Sequence, residues 1–141
     1  MKIFGIDPGT TTGVAIWDTL KKKFIHIGSG GIMDAFDIVE AEMFERQSCR
    51  RDVNFEVWIE DARQRKWFGK SGREVLQGVG SIKRDCHIWE EFCKNRNLKY
   101  RMVAPKNIKT KMSAEGFKKI TGWQGRSNEH ERDAAMICFG A

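Results

Sequence analysis

The sequence predicts a single α/β domain on a mixed sheet, spanning residues 1–141. Three observations carry this reading. Three short apolar runs joined by tight turns open the chain, two further strand-length runs come later, and helix-length segments stand between and after them.

Lys2 to Ile6 is an apolar run ending in Asp7-Pro8-Gly9-Thr10, a turn signal. Gly13 to Trp17 is the second strand, Thr19 to Lys23 a turn, and Phe24 to Ile27 the third strand, giving an antiparallel meander. From Asp34 to about Gln47 the apolar residues Phe36, Val39, Met43 and Phe44 fit a helix. Phe55 to Ile59 alternates as a fourth strand and runs into Glu60-Asp61.

The most regular segment follows. Val75, Val79, Ile82, Cys86, Trp89 and Cys93 form an apolar helical seam on a helix from about Gly72 to Asn95. Gly78 and Gly80 lower its helix propensity and are expected to admit the close approach of another backbone. Leu98 to Val103 reads as the last strand, and Pro105 to Met112 and Ala114 to Ile120 as short basic helices or turns. Ser127 is expected to cap a final helix running to about Phe139, with Glu129 and Glu131 favoured near its positive end.

A chain of this length can bury a core without staples. No apolar stretch approaches the ~18–20 residues of a membrane span, and the N-terminus lacks the apolar region of a signal peptide. The expectation is a protein of the cytoplasm. Cys49, Cys86, Cys93 and Cys138 contain no CxxC pair and read as reduced thiols. A zinc site from Cys86, His87 and Cys93 is disfavoured, because adjacent helical residues point apart.

The net charge of +6 is unevenly placed. Residues 1–60 carry 7 Lys/Arg against 10 Asp/Glu, whereas residues 61–141 carry 18 against 9. Positive charge gathered in one half points to a polyanionic partner held through counterion release.

Three acids sit where the ends of elements would bring them together. Asp7 closes the first strand, Glu60 the fourth, and Asp133 lies one turn into the last helix; if strands one and four are parallel neighbours, Asp7 and Glu60 emerge at one sheet end. His130, three residues before Asp133, shares its helix face. Hard oxygen ligands suit Mg²⁺, with Mn²⁺ able to substitute, and two such ions can activate water and stabilise a leaving 3′ oxygen. Glu129, Glu131 and Asp61 are alternative carboxylates.

Gly5-Ile6-Asp7-Pro8-Gly9-Thr10 followed by Gly13-Val14-Ala15-Ile16, then Ile59-Glu60, then His130-Glu131-Arg132-Asp133-Ala134, resembles in order and distance the three acidic motifs of the RuvC-type Holliday junction resolvases. The resemblance implies an RNase H-like fold whose mixed five-stranded sheet has three antiparallel strands and then two parallel ones. It also implies a homodimer through the helix around 72–95, to which Leu76 and Phe92 would add apolar surface, and metal-dependent paired nicking of four-way DNA junctions with 5′-phosphate and 3′-hydroxyl products. Asp7, Glu60, His130 and Asp133 would carry over as the catalytic and metal-binding set. A lysine near Lys109 or Lys111, with Lys109 the first choice, would stabilise transition-state charge. The chain departs from the family pattern in its short length, in His130 where many members have a carboxylate, and in the basic stretch after Glu60. Those departures leave replication forks, RNA/DNA hybrid or rRNA precursor as alternative substrates. Asp7-Pro8-Gly9-Thr10-Thr11 also fits the first phosphate motif of actin-like ATPases, but those need two lobes.

For holding DNA, the sequence offers Arg63, Arg65, Lys66, Lys70 and Arg73 around the aromatic pair Trp67-Phe68, which could stack on an unpaired base. A second basic group, Lys106, Lys109, Lys111, Lys118 and Lys119, would track backbone phosphates.

Overall fold

The computed structural model describes residues 1–49, 54–65, 73–109 and 111–141. Strands β1 (Lys2–Asp7), β2 (Thr12–Asp18) and β3 (Lys23–Gly30) are followed by helix α1 (Ile32–Cys49), strand β4 (Phe55–Glu60), helix α2 (Arg73–Asn95) and strand β5 (Tyr100–Val103). Helices α3 (Ala114–Thr121) and α4 (Glu129–Cys138) complete the fold, with single 3₁₀ turns at Ala62–Gln64 and Pro105–Asn107.

The five strands form one sheet in the order β3-β2-β1-β4-β5. The β1–β2 and β2–β3 pairs are antiparallel, and the β1–β4 and β4–β5 pairs are parallel. The mixed sheet expected from the sequence is therefore the one observed.

Alternation along β1 decides which residues meet which helices. Phe4 and Ile6 face the layer carrying α1 and α2, where they join Val39, Val57, Ile59 and Trp89 in one core. Ile3 faces the other way, into a second core with Ala15, Trp17, Phe117, Ala134 and Cys138 under α3 and α4. Period two then puts Gly5 and Asp7 on the α4 side as well. The same count along β4 sends Phe55, Val57 and Ile59 to the first core. Glu60 is left on the side facing α4.

Two glycines set how closely α4 lies on the sheet. A β-carbon at Gly5 would stand 2.1 Å from the carbonyl oxygen of Ala134, and one at Gly13 2.1 Å from that of His130. Only glycine allows this approach. The packing carries His130 and Asp133 onto the strand ends.

Several local expectations need correction. The final helix is capped by Asn128, not Ser127: the Asn128 side chain accepts from the Glu131 N–H while Glu131 reaches back to the Asn128 N–H. Ser127 instead accepts from Arg132. Pro105–Met112, expected as a short helix or turn, opens with the single helical turn Pro105–Asn107. Phe44 lies on α1 as expected, with its ring exposed. On α2 the seam is fully buried at Cys86, Trp89 and Cys93. Phe92 is also core: its ring stacks on Phe36 at 4.2 Å between centroids, which removes it from any dimer surface. Gly78 and Gly80 admit no close backbone from the described parts of this chain, since no described atom lies within 4 Å of a β-carbon at either. Among the described residues no helix is long and apolar enough to cross a membrane.

Candidate active site

Ile6 and Ile59 are register partners in the parallel β1–β4 pair, so Asp7 and Glu60 leave the same sheet end side by side. The N-terminal turn of α4 closes over them. His130 Nδ1 lies 3.3 Å from Asp7 Oδ2, and Asp133 projects from the next turn. The four residues expected from the sequence line one cleft of about 670 Å³, together with Thr10, Thr11 and Glu129.

Glu60 is 1 % exposed, the deepest of the set. Its Oε2 is buried with no hydrogen-bond partner among the described groups. A buried carboxylate oxygen without a partner costs free energy unless a proton or cation satisfies it. Asp7 feels the same deficit. Burial first, and then the charge of Glu60, push its carboxyl up to about 7; the hydrogen bond to His130 opposes this, and Asp133 adds to it. Three acids facing one another in low dielectric attract positive charge.

That charge is supplied from within the chain. Arg65, just past the 3₁₀ turn, donates from Nε to Glu60 Oε1 at 3.1 Å, and its Nη2 pairs with the same oxygen. Burial works against the Arg65 guanidinium, but Glu60, Asp7 and Asp133 together outweigh it and hold its proton more firmly. The Lys111 backbone N–H donates to Asp133 Oδ1 at 2.9 Å from a residue with φ of 56°. Each acid thus has one oxygen engaged by the protein. Among the described residues no three acid, His or Cys side chains are grouped to hold one ion as they stand. The donor set nevertheless fits a hard divalent cation in kind: three carboxylates and an imidazole around an oxygen without a partner. Displacing Arg65 would free the second oxygen of Glu60.

The remaining expected residues divide. Lys106 and Lys111 line the cleft; Lys109 is exposed and is not among the lining residues, so Lys111 is the better placed lysine. Lys118 and Lys119 are exposed on the last turn of α3. Arg63 is not free to meet DNA: its guanidinium is bound by Asp61 at 2.6 Å and by Glu90 at 2.9 Å, tying the turn after β4 to α2. Those bonds also occupy Asp61, and the helix cap occupies Glu131, so of the alternative carboxylates only Glu129 faces the cleft. Lys66, Trp67, Phe68 and Lys70 lie outside the described residues, as does the side chain of Arg73. Two features had no anticipating signal: the Arg65 clamp on Glu60, and the Lys111 N–H on Asp133. Gly5 and Gly13, by contrast, stand at alternating positions that a strand reading would place on the α4 face.

No family model and no curated protein matches this chain. Twelve chains of solved structures do. One of them is T. thermophilus RuvC in complex with a Holliday junction substrate, at a TM-score of 0.56 and 18% identity, over 99% of this chain and 90% of that one. What the likeness establishes is the fold: this chain has the RNase H-like architecture of RuvC, with its mixed five-stranded sheet and flanking helices.

Proposed function

We propose that this protein is a metal-dependent endonuclease that resolves four-way DNA junctions inside the cell by paired nicking, leaving 5′-phosphate and 3′-hydroxyl ends. The observation that carries the proposal is the convergence of Asp7, Glu60, His130 and Asp133 in one cleft, where Glu60 Oε2 is buried with no hydrogen-bond partner among the described groups. Asp7, Glu60 and Asp133, with His130, would hold Mg²⁺ or Mn²⁺, two ions per site. Bound there, the ions would supply activation of water and stabilisation of charge on the leaving oxygen.

The chain's own groups have separate tasks. His130 meets Asp7 through Nδ1, which would orient that carboxylate, and its half-exposed ring would exchange a proton with solvent. Lys106 and Lys111 line the cleft and would meet phosphate charge there, with Lys111 the candidate for stabilising transition-state charge. Arg65 neutralises Glu60 through Oε1 and would compete there with a bound cation. The fold shared with a junction-bound RuvC supports branched DNA as the substrate. Paired nicking needs two clefts related by symmetry; Leu76, 59 % exposed on α2, supports a homodimer through that helix.

The test presents purified protein with a four-way junction, a fork, a linear duplex and an RNA/DNA hybrid of matched sequence. Preferential, symmetric cutting of the junction is expected. Preference for fork or hybrid would keep the chemistry and overturn the substrate, and sedimentation as a monomer with and without junction would overturn the dimer.

A further inference from the structure

Gly78 and Gly80 stand two residues apart on α2. Both weaken the helix relative to alanine, and no described atom approaches within 4 Å of a β-carbon on either. They differ in what they face. Gly78 lines the carboxylate cleft together with Ser81, one turn further on, whereas Gly80 is not among the lining residues. Two very small side chains at helical spacing therefore border the same space as Glu60, Lys106 and Lys111.

We propose that the Gly78–Ser81 face of α2 is the wall on which the sugar–phosphate backbone of the cut DNA strand is seated. Gly78 determines this access, because any side chain there would hold the strand away from the carboxylates. The inference rests on the nuclease reading above and adds to it a specificity-determining residue. A reacting phosphate must come within ~3–3.5 Å of its catalytic groups, and a displacement of about 1 Å costs on the order of a hundredfold in rate. Ser81 and Thr10 carry hydroxyls of the kind that bond phosphate oxygens without reading sequence. Among the described residues lining the cleft, Ser81, Thr10, Thr11 and the two lysines offer hydroxyl and cationic groups that suit a sugar–phosphate backbone.

The experiment compares Gly78→Ala, Gly78→Leu and Gly80→Ala with the wild type. It reads melting temperature, affinity for a synthetic four-way junction in Ca²⁺, and single-turnover cutting in Mg²⁺. Both alanine variants should melt a few degrees higher, since alanine favours the helix. Gly80→Ala should bind and cut as the wild type does. Gly78→Leu should lose about tenfold in affinity and about a hundredfold in cutting rate, with Gly78→Ala falling between it and the wild type. Stability rising while binding falls is a result that a merely structural glycine would not produce. Wild-type cutting by Gly78→Leu overturns the proposal, as does an equal loss in Gly80→Ala. If Gly78→Leu melts below the wild type, Gly78→Ala decides: wild-type cutting by that variant overturns it too. A wild-type protein that neither binds nor cuts DNA overturns the nuclease reading itself.

Discussion

Asp7→Asn removes a charge that the folded protein holds at a cost. The Asp7 carboxyl is pushed from 3.8 to about 7 by burial and by Glu60, and its side chain is 13 % exposed. Between these two values the folded state keeps a proton that the unfolded chain has released. Stability therefore falls as pH rises from about 4 to about 7 and is level above that. At ~1.4 kcal/mol per pH unit the ceiling is about 4 kcal/mol, and relaxation around the charge lowers the expected effect to about 2–4 kcal/mol. Asparagine keeps the shape and removes the titration. In EDTA, urea unfolding should find Asp7→Asn close to the wild type at pH 4.5 and more stable at pH 8. Mg²⁺ should reverse the order at pH 8 by stabilising only the protein that binds it. An Asp7→Asn variant that is equally or less stable than the wild type in EDTA at pH 8 would refute the argument.

Three further substitutions probe other parts of the account. Arg65→Gln should tighten Mn²⁺ binding in calorimetry by about tenfold, because the competing cation on Glu60 is gone; weaker Mn²⁺ binding would show that Arg65 supports the ion instead. Phe92→Ala should cost about 3–5 kcal/mol in urea unfolding without changing the sedimentation coefficient of the folded protein, since Phe92 stacks on Phe36 in the core; a change of oligomeric state at unchanged stability would return Phe92 to the surface. Gly13→Ala should destabilise by about 1–3 kcal/mol or more, because its methyl would meet the His130 carbonyl at 2.1 Å; a neutral effect on unfolding would mean that α4 does not need this approach.

The sheet was legible because its signals are local and periodic. The alternation of Phe55 to Glu60 marks the faces of β4, whereas β1 is a continuous apolar run buried on both faces. Asp7 and Glu60 could thus be placed together from strand ends alone, given parallel pairing. The capping box of α4 was also readable, since Glu131 stands three residues after Asn128 and not after Ser127. The cations were not. Arg63 and Arg65 are two residues apart in one basic stretch, yet one braces α2 through Glu90 and the other clamps Glu60. A long flexible side chain can reach either, and only the turn at Ala62–Gln64 decides. Phe92 was misassigned for a similar reason: helical spacing marks a face, and the position of α1 determines how wide that face is.

The most direct test of the central claim is single-turnover cutting of an end-labelled four-way junction, with Mg²⁺ or EDTA, by the wild type, Asp7→Asn and Glu60→Gln. Cutting is expected only with the divalent ion, restored by Mn²⁺, with a loss of at least about a hundredfold in each variant. Cutting that persists in EDTA, or at an undiminished rate in Asp7→Asn, would contradict it.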